Sequence, residues 1–185
     1  MRGSAADVVR DMLVDSALIV PAERDGRQIL SLAGAGGKIT VTEVPSGSVA
    51  VKLGASFPQF GRFLSPGCGL RQHAGYVILG ENEGLKFIVC IETDEASLSR
   101  EETGRRMRGA ICAMDYCASL AREFFFEPNL FEGAKWYFIK VRRRGIVRKR
   151  FRYASRFAEN GSPESVRVVE GDSFPFPSLV SGPGW

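Results

Sequence analysis

Glu92 and Asp94 stand two residues apart at the end of an apolar run, Lys86-Phe87-Ile88-Val89-Cys90-Ile91. On a strand, both carboxylates leave the same face. Oxygen donors on a rigid support are what a hard divalent cation such as Mg²⁺ or Mn²⁺ needs. An ion held there activates water and stabilises charge on a phosphate. His73, the single histidine of the chain, precedes the neighbouring apolar run Tyr76-Val77-Ile78-Leu79, where it can act as a further ligand or a base. A strand running out into solvent and a turn histidine give the same pattern, so the structural reading stands beside the catalytic one. No Gly-x-Ser-x-Gly context supports His73 as partner of a nucleophile. Gly34-Ala35-Gly36-Gly37 lacks the Lys-Ser/Thr signature and is followed by a β-rich segment, so it reads as a turn rather than a phosphate cradle.

The second chemical signal is charge. Lys140, Arg142, Arg143, Arg144, Arg148, Lys149, Arg150 and Arg152 are eight cations in one segment without an acid. Setting these eight aside turns the formal charge of +4 into −4 for the rest of the chain, so the positive field is local. Phe151 and Tyr153 are interleaved, which suits phosphate contacts combined with stacking on a base. DNA or RNA is the expected partner, and an acidic protein would use the same charges. A cationic edge ribbon that blocks strand pairing is the alternative.

These residues need elements to hold them. Ser4 with Asp7, and Ser99 with Glu102, are capping-box patterns that open a short helix over about residues 5–15 and a long helix beyond residue 99. In the long helix Met107, Ala110, Ile111, Met114, Cys117, Ala118 and Ala121 recur at steps of three and four. Gln28–Leu32, Lys38–Thr42 and Ser48–Lys52 read as strands, as do the two apolar runs, which Glu81-Asn82-Glu83-Gly84 joins into a hairpin. Trp136–Val141 is a further strand, Val147–Tyr153 a return strand, and Val166–Val169 a last short one. Phe57, Phe60 and Phe63 lie in an irregular stretch and read as core plugs, and Phe124-Phe125-Phe126 as core or an interface patch.

With 185 residues the chain forms one α/β domain over residues 1–173, followed by a Pro/Gly/Ser-rich tail over 174–185. No apolar run reaches the roughly 20 residues of a membrane helix, and no basic-then-apolar leader opens the chain. Cys68, Cys90, Cys112 and Cys117 include no C-x-x-C pair, which excludes the usual structural zinc patterns. Free, buried thiols fit a reducing cytoplasm.

The order of a hairpin with an acid on its second strand, a long helix and another strand resembles the restriction-endonuclease-like fold of the PD-(D/E)xK nuclease superfamily. The likeness runs over about Val49 to Val141. It implies a sandwich in which a central mixed sheet is flanked by the long helix and the short N-terminal helix. In small bacterial members the first strand reads Cys-Asp-Tyr and then aliphatics, and the second reads aliphatic-Glu-aliphatic-Lys. The corresponding segments here are His73-Ala74-Gly75-Tyr76 and Ile91-Glu92-Thr93-Asp94. Glu92 matches, Gly75 stands at the aspartate position, and Asp94 replaces the lysine. The resemblance therefore implies a degenerate member, a non-catalytic or weakly catalytic subunit. It would bind nucleic acid, or a partner that handles it, in a bacterial or phage setting. The alternatives are an active nuclease with a rearranged site, using Glu92, Asp94 and His73 with Mg²⁺ or Mn²⁺ and Lys52 as a helper, and a protein–protein adaptor.

Overall fold

Both capping boxes form. Helix α1 spans Ala5–Met12 and α2 spans Arg100–Phe124. Ser4 Oγ accepts the Asp7 N–H at 3.3 Å, and the Asp7 carboxylate accepts the Ser4 N–H at 2.9 Å. Ser99 and Glu102 make the same exchange at 3.1 and 2.8 Å. Two of the four orphan donors at each helix start are satisfied in this way. The computed structural model describes residues 3–34, 37–53, 73–93, 98–142, 162–163 and 165–180. Phe57, Phe60, Phe63, Asp94, the return strand over 147–153 and the cations from Arg143 to Arg152 lie outside the described residues.

The central sheet has six strands: β1 (Leu18–Ile19), β5 (Val49–Lys52), β6 (Tyr76–Asn82), β7 (Leu85–Glu92), β8 (Lys135–Arg142) and β9 (Arg167–Glu170), in that spatial order. The first four pair antiparallel, and β7, β8 and β9 run parallel. The β6–β7 connection is two residues, Glu83 and Gly84, with φ of 50° and 81°. That is the primed turn that matches strand twist. Parallel β7 and β8 require a crossover, and α2 supplies it.

Strand alternation sorts the side chains into two cores. Val77, Leu79, Ile88, Cys90 and Phe138 face α1 and α2. Tyr76, Ile78, Phe87, Val89, Ile91, Tyr137 and Ile139 face the other way. There they meet a second, four-stranded mixed sheet: β2 (Ala22–Arg24), β3 (Arg27–Gly34), β4 (Gly37–Thr42) and β10 (Ser173–Pro175). The fold is thus a mixed α/β arrangement with two sheets rather than one. β3 and β4 stack on the central sheet because only one of their faces is apolar: Leu30 and Leu32 are buried while Ser31 and Ala33 are exposed. The Tyr76 hydroxyl donates to the Ala33 carbonyl and bridges the two sheets.

Residues 174–180 differ from the expected tail. Phe174 lies in β10, and α3 (Phe176–Val180) follows. Phe174, Phe176, Leu179 and Val180 are all buried between the sheets. Their apolar content outweighs the Pro and Ser around them, and Ser178 Oγ donates back to the Pro175 carbonyl at 2.7 Å.

α2 ends with the N–H groups of Phe125 and Glu127 both donating to the Ala121 carbonyl. Phe126 sits between them with φ of 56°, a position that glycine usually holds. It is 80% exposed, and Phe124 is 71% exposed, so neither belongs to the core. Phe126→Gly is expected to stabilise the protein by up to about 1 kcal/mol through relief of the left-handed backbone. A thermal melt reads this as a higher Tm; a lower one would mean that the ring is held by contacts.

Candidate functional site

β7 and β8 are parallel neighbours that both turn polar at the same level. Their register places Ile88 beside Trp136, Cys90 beside Phe138, and Glu92 beside Lys140. Even-numbered side chains of both strands face α2, so Glu92 and Lys140 project together beneath the first turns of that helix. Neither reaches solvent: Glu92 is 2% and Lys140 3% exposed.

The helix answers both charges. Arg106 Nη1 donates to Glu92 Oε2 at 3.4 Å. Lys140 Nζ donates to the Leu98 carbonyl at 2.8 Å and to Thr103 Oγ1 at 3.3 Å. Thr103 Oγ1 in turn donates to the Ser99 carbonyl at 2.9 Å. Buried ionised groups persist only when paired and hydrogen-bonded, and this cluster meets that condition across three elements. It fixes the start of α2 to the ends of two strands.

Gly75 and His73 come to the same corner. A Cβ built on Gly75 would lie 3.4 Å from Thr93 Oγ1, beside the end of β7. The Ala74 N–H donates to the Arg106 carbonyl at 2.9 Å, and the Leu53 N–H to the Gly75 carbonyl at 3.1 Å. The segment 73–75 is thereby tied to α2 on one side and to β5 on the other. His73 is half-buried, and its Nδ1 finds no hydrogen-bond partner among the described residues. Burial, with the nearby Arg106 guanidinium as a lesser cause, holds its pKa below the ordinary 6.5. In the fold His73 therefore stays neutral to lower pH than in the unfolded chain. Its contribution to stability is whole above 6.5 and is lost as pH falls through the depressed folded value. Urea melts over about pH 5 to 7.5 should show this decline, and His73→Gln should flatten it.

The structure thus brings Gly75, Glu92 and His73 together and adds Arg106 and Thr103, which the motif reading did not single out. Lys140, expected among the phosphate-binding cations, is instead turned inward at 3% exposure and serves the Glu92 cluster. A side chain buried beneath α2 cannot also reach a surface ligand. Arg142, two residues on, is exposed at the end of β8, where its carbonyl accepts the Gly171 N–H at 2.9 Å. Lys52 closes β5 and pairs in register with Tyr76. Of the thiols, Cys90 and Cys117 are buried and Cys112 is exposed on α2; burial pushes Cys117 up to about 12.

Among the described residues, the surroundings of Glu92 offer a Mg²⁺ or Mn²⁺ ion no second carboxylate; Asp94, the other expected ligand, lies outside them. The carboxylate already faces a guanidinium, the place next to it on β8 carries an ammonium, and Gly75 has no side-chain donor. Among the described residues no helix is long and apolar enough to cross a membrane. In comparisons with known proteins, no family model, no curated protein and no solved structure matched the chain.

Proposed function

We propose that this chain is a degenerate protein of restriction-endonuclease-like type, not a working nuclease, and that it binds nucleic acid through the cationic run that begins at Arg142. The observation that carries the non-catalytic half is the state of Glu92. The one acid matching the nuclease motif is 2% exposed, faces Arg106 and stands in register with Lys140. A carboxylate so engaged holds a helix in place rather than a metal. The order hairpin, α2, parallel β8 supports the kinship.

The binding half rests on charge. Arg142, Arg143, Arg144, Arg148, Lys149, Arg150 and Arg152 are seven cations on one short segment, and phosphates are the ligand that such a density suits. The setting that fits is the cytoplasm of a bacterial or phage-infected cell.

Labelled single- and double-stranded DNA and RNA test both halves. Binding is expected at low salt, with log K falling against log salt at a slope of roughly −0.7 to −0.9 per phosphate neutralised. Replacing Arg142, Arg143 and Arg144 with alanine should weaken binding to every sequence alike and flatten that slope by about 2 to 3. No binding to any of the four at low salt would favour an adaptor for an acidic protein. Cleavage in Mg²⁺ or Mn²⁺ that Glu92→Gln abolishes, with the fold intact by circular dichroism, would restore the enzyme reading.

A further inference from the structure

The surroundings of the Lys140 ammonium are those of a cation site. Its Nζ lies 2.8 Å from a carbonyl oxygen, that of Leu98, and 3.3 Å from a hydroxyl oxygen, that of Thr103. The carboxylate-bearing Glu92 is its register partner on the same face. Thr103 and Glu92 are each 2% exposed, so the oxygens are fixed and screened from water. Carbonyl, hydroxyl and carboxylate oxygens are the donors that hard cations take.

We infer that the Lys140 ammonium is the built-in cation of this oxygen-lined position, occupying it in place of a soluble metal ion. The chain thereby places a cation of its own beside Glu92 in the register of β7 and β8. Shortening Lys140 should uncover a position that free cations enter. This rests on the reading of Glu92 as withdrawn from catalysis and adds what replaced the metal.

The full chain tests it. Thermal melts are run in chelator and then with Mn²⁺, Ca²⁺ or ethylammonium at constant ionic strength, with tetramethylammonium as a cation too large to enter. The wild-type Tm is expected to be the same in all of them. Lys140→Ala should melt lower by roughly 10 °C. It should regain much of that loss with Mn²⁺, Ca²⁺ or ethylammonium, and none with tetramethylammonium. The regain should vanish when Glu92→Gln is added. Lys140→Gln keeps more of the packing and should lose stability in the same way. If neither variant folds in chelator, refolding with and without each cation answers the same question. Failure of every small cation to recover either variant overturns the inference. So does a wild-type Tm raised by Mn²⁺ or Ca²⁺ through Glu92. Wild-type protein that binds no nucleic acid, with cation rescue intact, would sink the proposed function alone. A metal response in wild type would sink this inference and leave the binding data untouched.

Discussion

A chain ending at Asp172 is expected to lose its cooperative unfolding transition. The cut removes Phe174, Phe176, Leu179 and Val180, which are 4%, 1%, 1% and 0% exposed between the two sheets. The Phe176 ring packs against Phe87 at 4.8 Å between centroids. Each such side chain contributes about 1.5–3 kcal/mol by burial, so four of them match much of the roughly 5–15 kcal/mol by which a domain of this kind is stable. β4 also loses its parallel neighbour, paired from Thr40 to Thr42. The expected readout is a broad, non-sigmoidal melt with a dye-binding apolar surface. A sharp transition within a few degrees of the full chain would show that the two sheets hold together without their C-terminal wedge.

Glu92→Ala is the single substitution with the largest expected cost, about 3–5 kcal/mol. The loss does not come from the 3.4 Å contact itself. It comes from removing a buried carboxylate that faces Arg106 and stands in register with Lys140. A second variant separates these causes. Glu92→Leu, Arg106→Leu and Lys140→Met together remove the three charges described at this corner, and this triple variant should recover most of the loss. Urea denaturation at constant m measures both. A cost under about 1 kcal/mol for Glu92→Ala would mean that water reaches the carboxylate in solution.

Much of the frame was legible in the residues. The Ser4–Asp7 and Ser99–Glu102 boxes gave both helix starts because capping is a local exchange of bonds. Unbroken apolar runs marked β6, β7 and β8 because those strands are covered on both faces. The alternation of Leu30-Ser31-Leu32 marks a strand with one wet face but not the sheet it joins, so a single sheet was expected where there are two. Proline and serine content hid the role of residues 174–180, since composition averages over the four apolar residues that matter. The partners of Glu92 were harder to read. Arg106 is 14 residues away and is brought in by the helix that follows β7. Lys140 had a usable signal: sliding β8 against β7 as parallel neighbours matches the polar ends of the two apolar runs. Its place beside a cationic run made it look like one more phosphate ligand.

The two sheets also differ in when they can be completed during synthesis. From β5 to β9 the central sheet is laid down in chain order, each new strand beside the one before it. It can therefore grow as the polypeptide leaves the ribosome. The smaller sheet cannot, because β4 waits for β10, and the Thr42 hydroxyl for the Phe174 carbonyl 132 residues later. Until residues 173–180 have been made, Leu30, Leu32, Ile39 and Val41 lack their last cover, and nascent chains are open to premature association through that face.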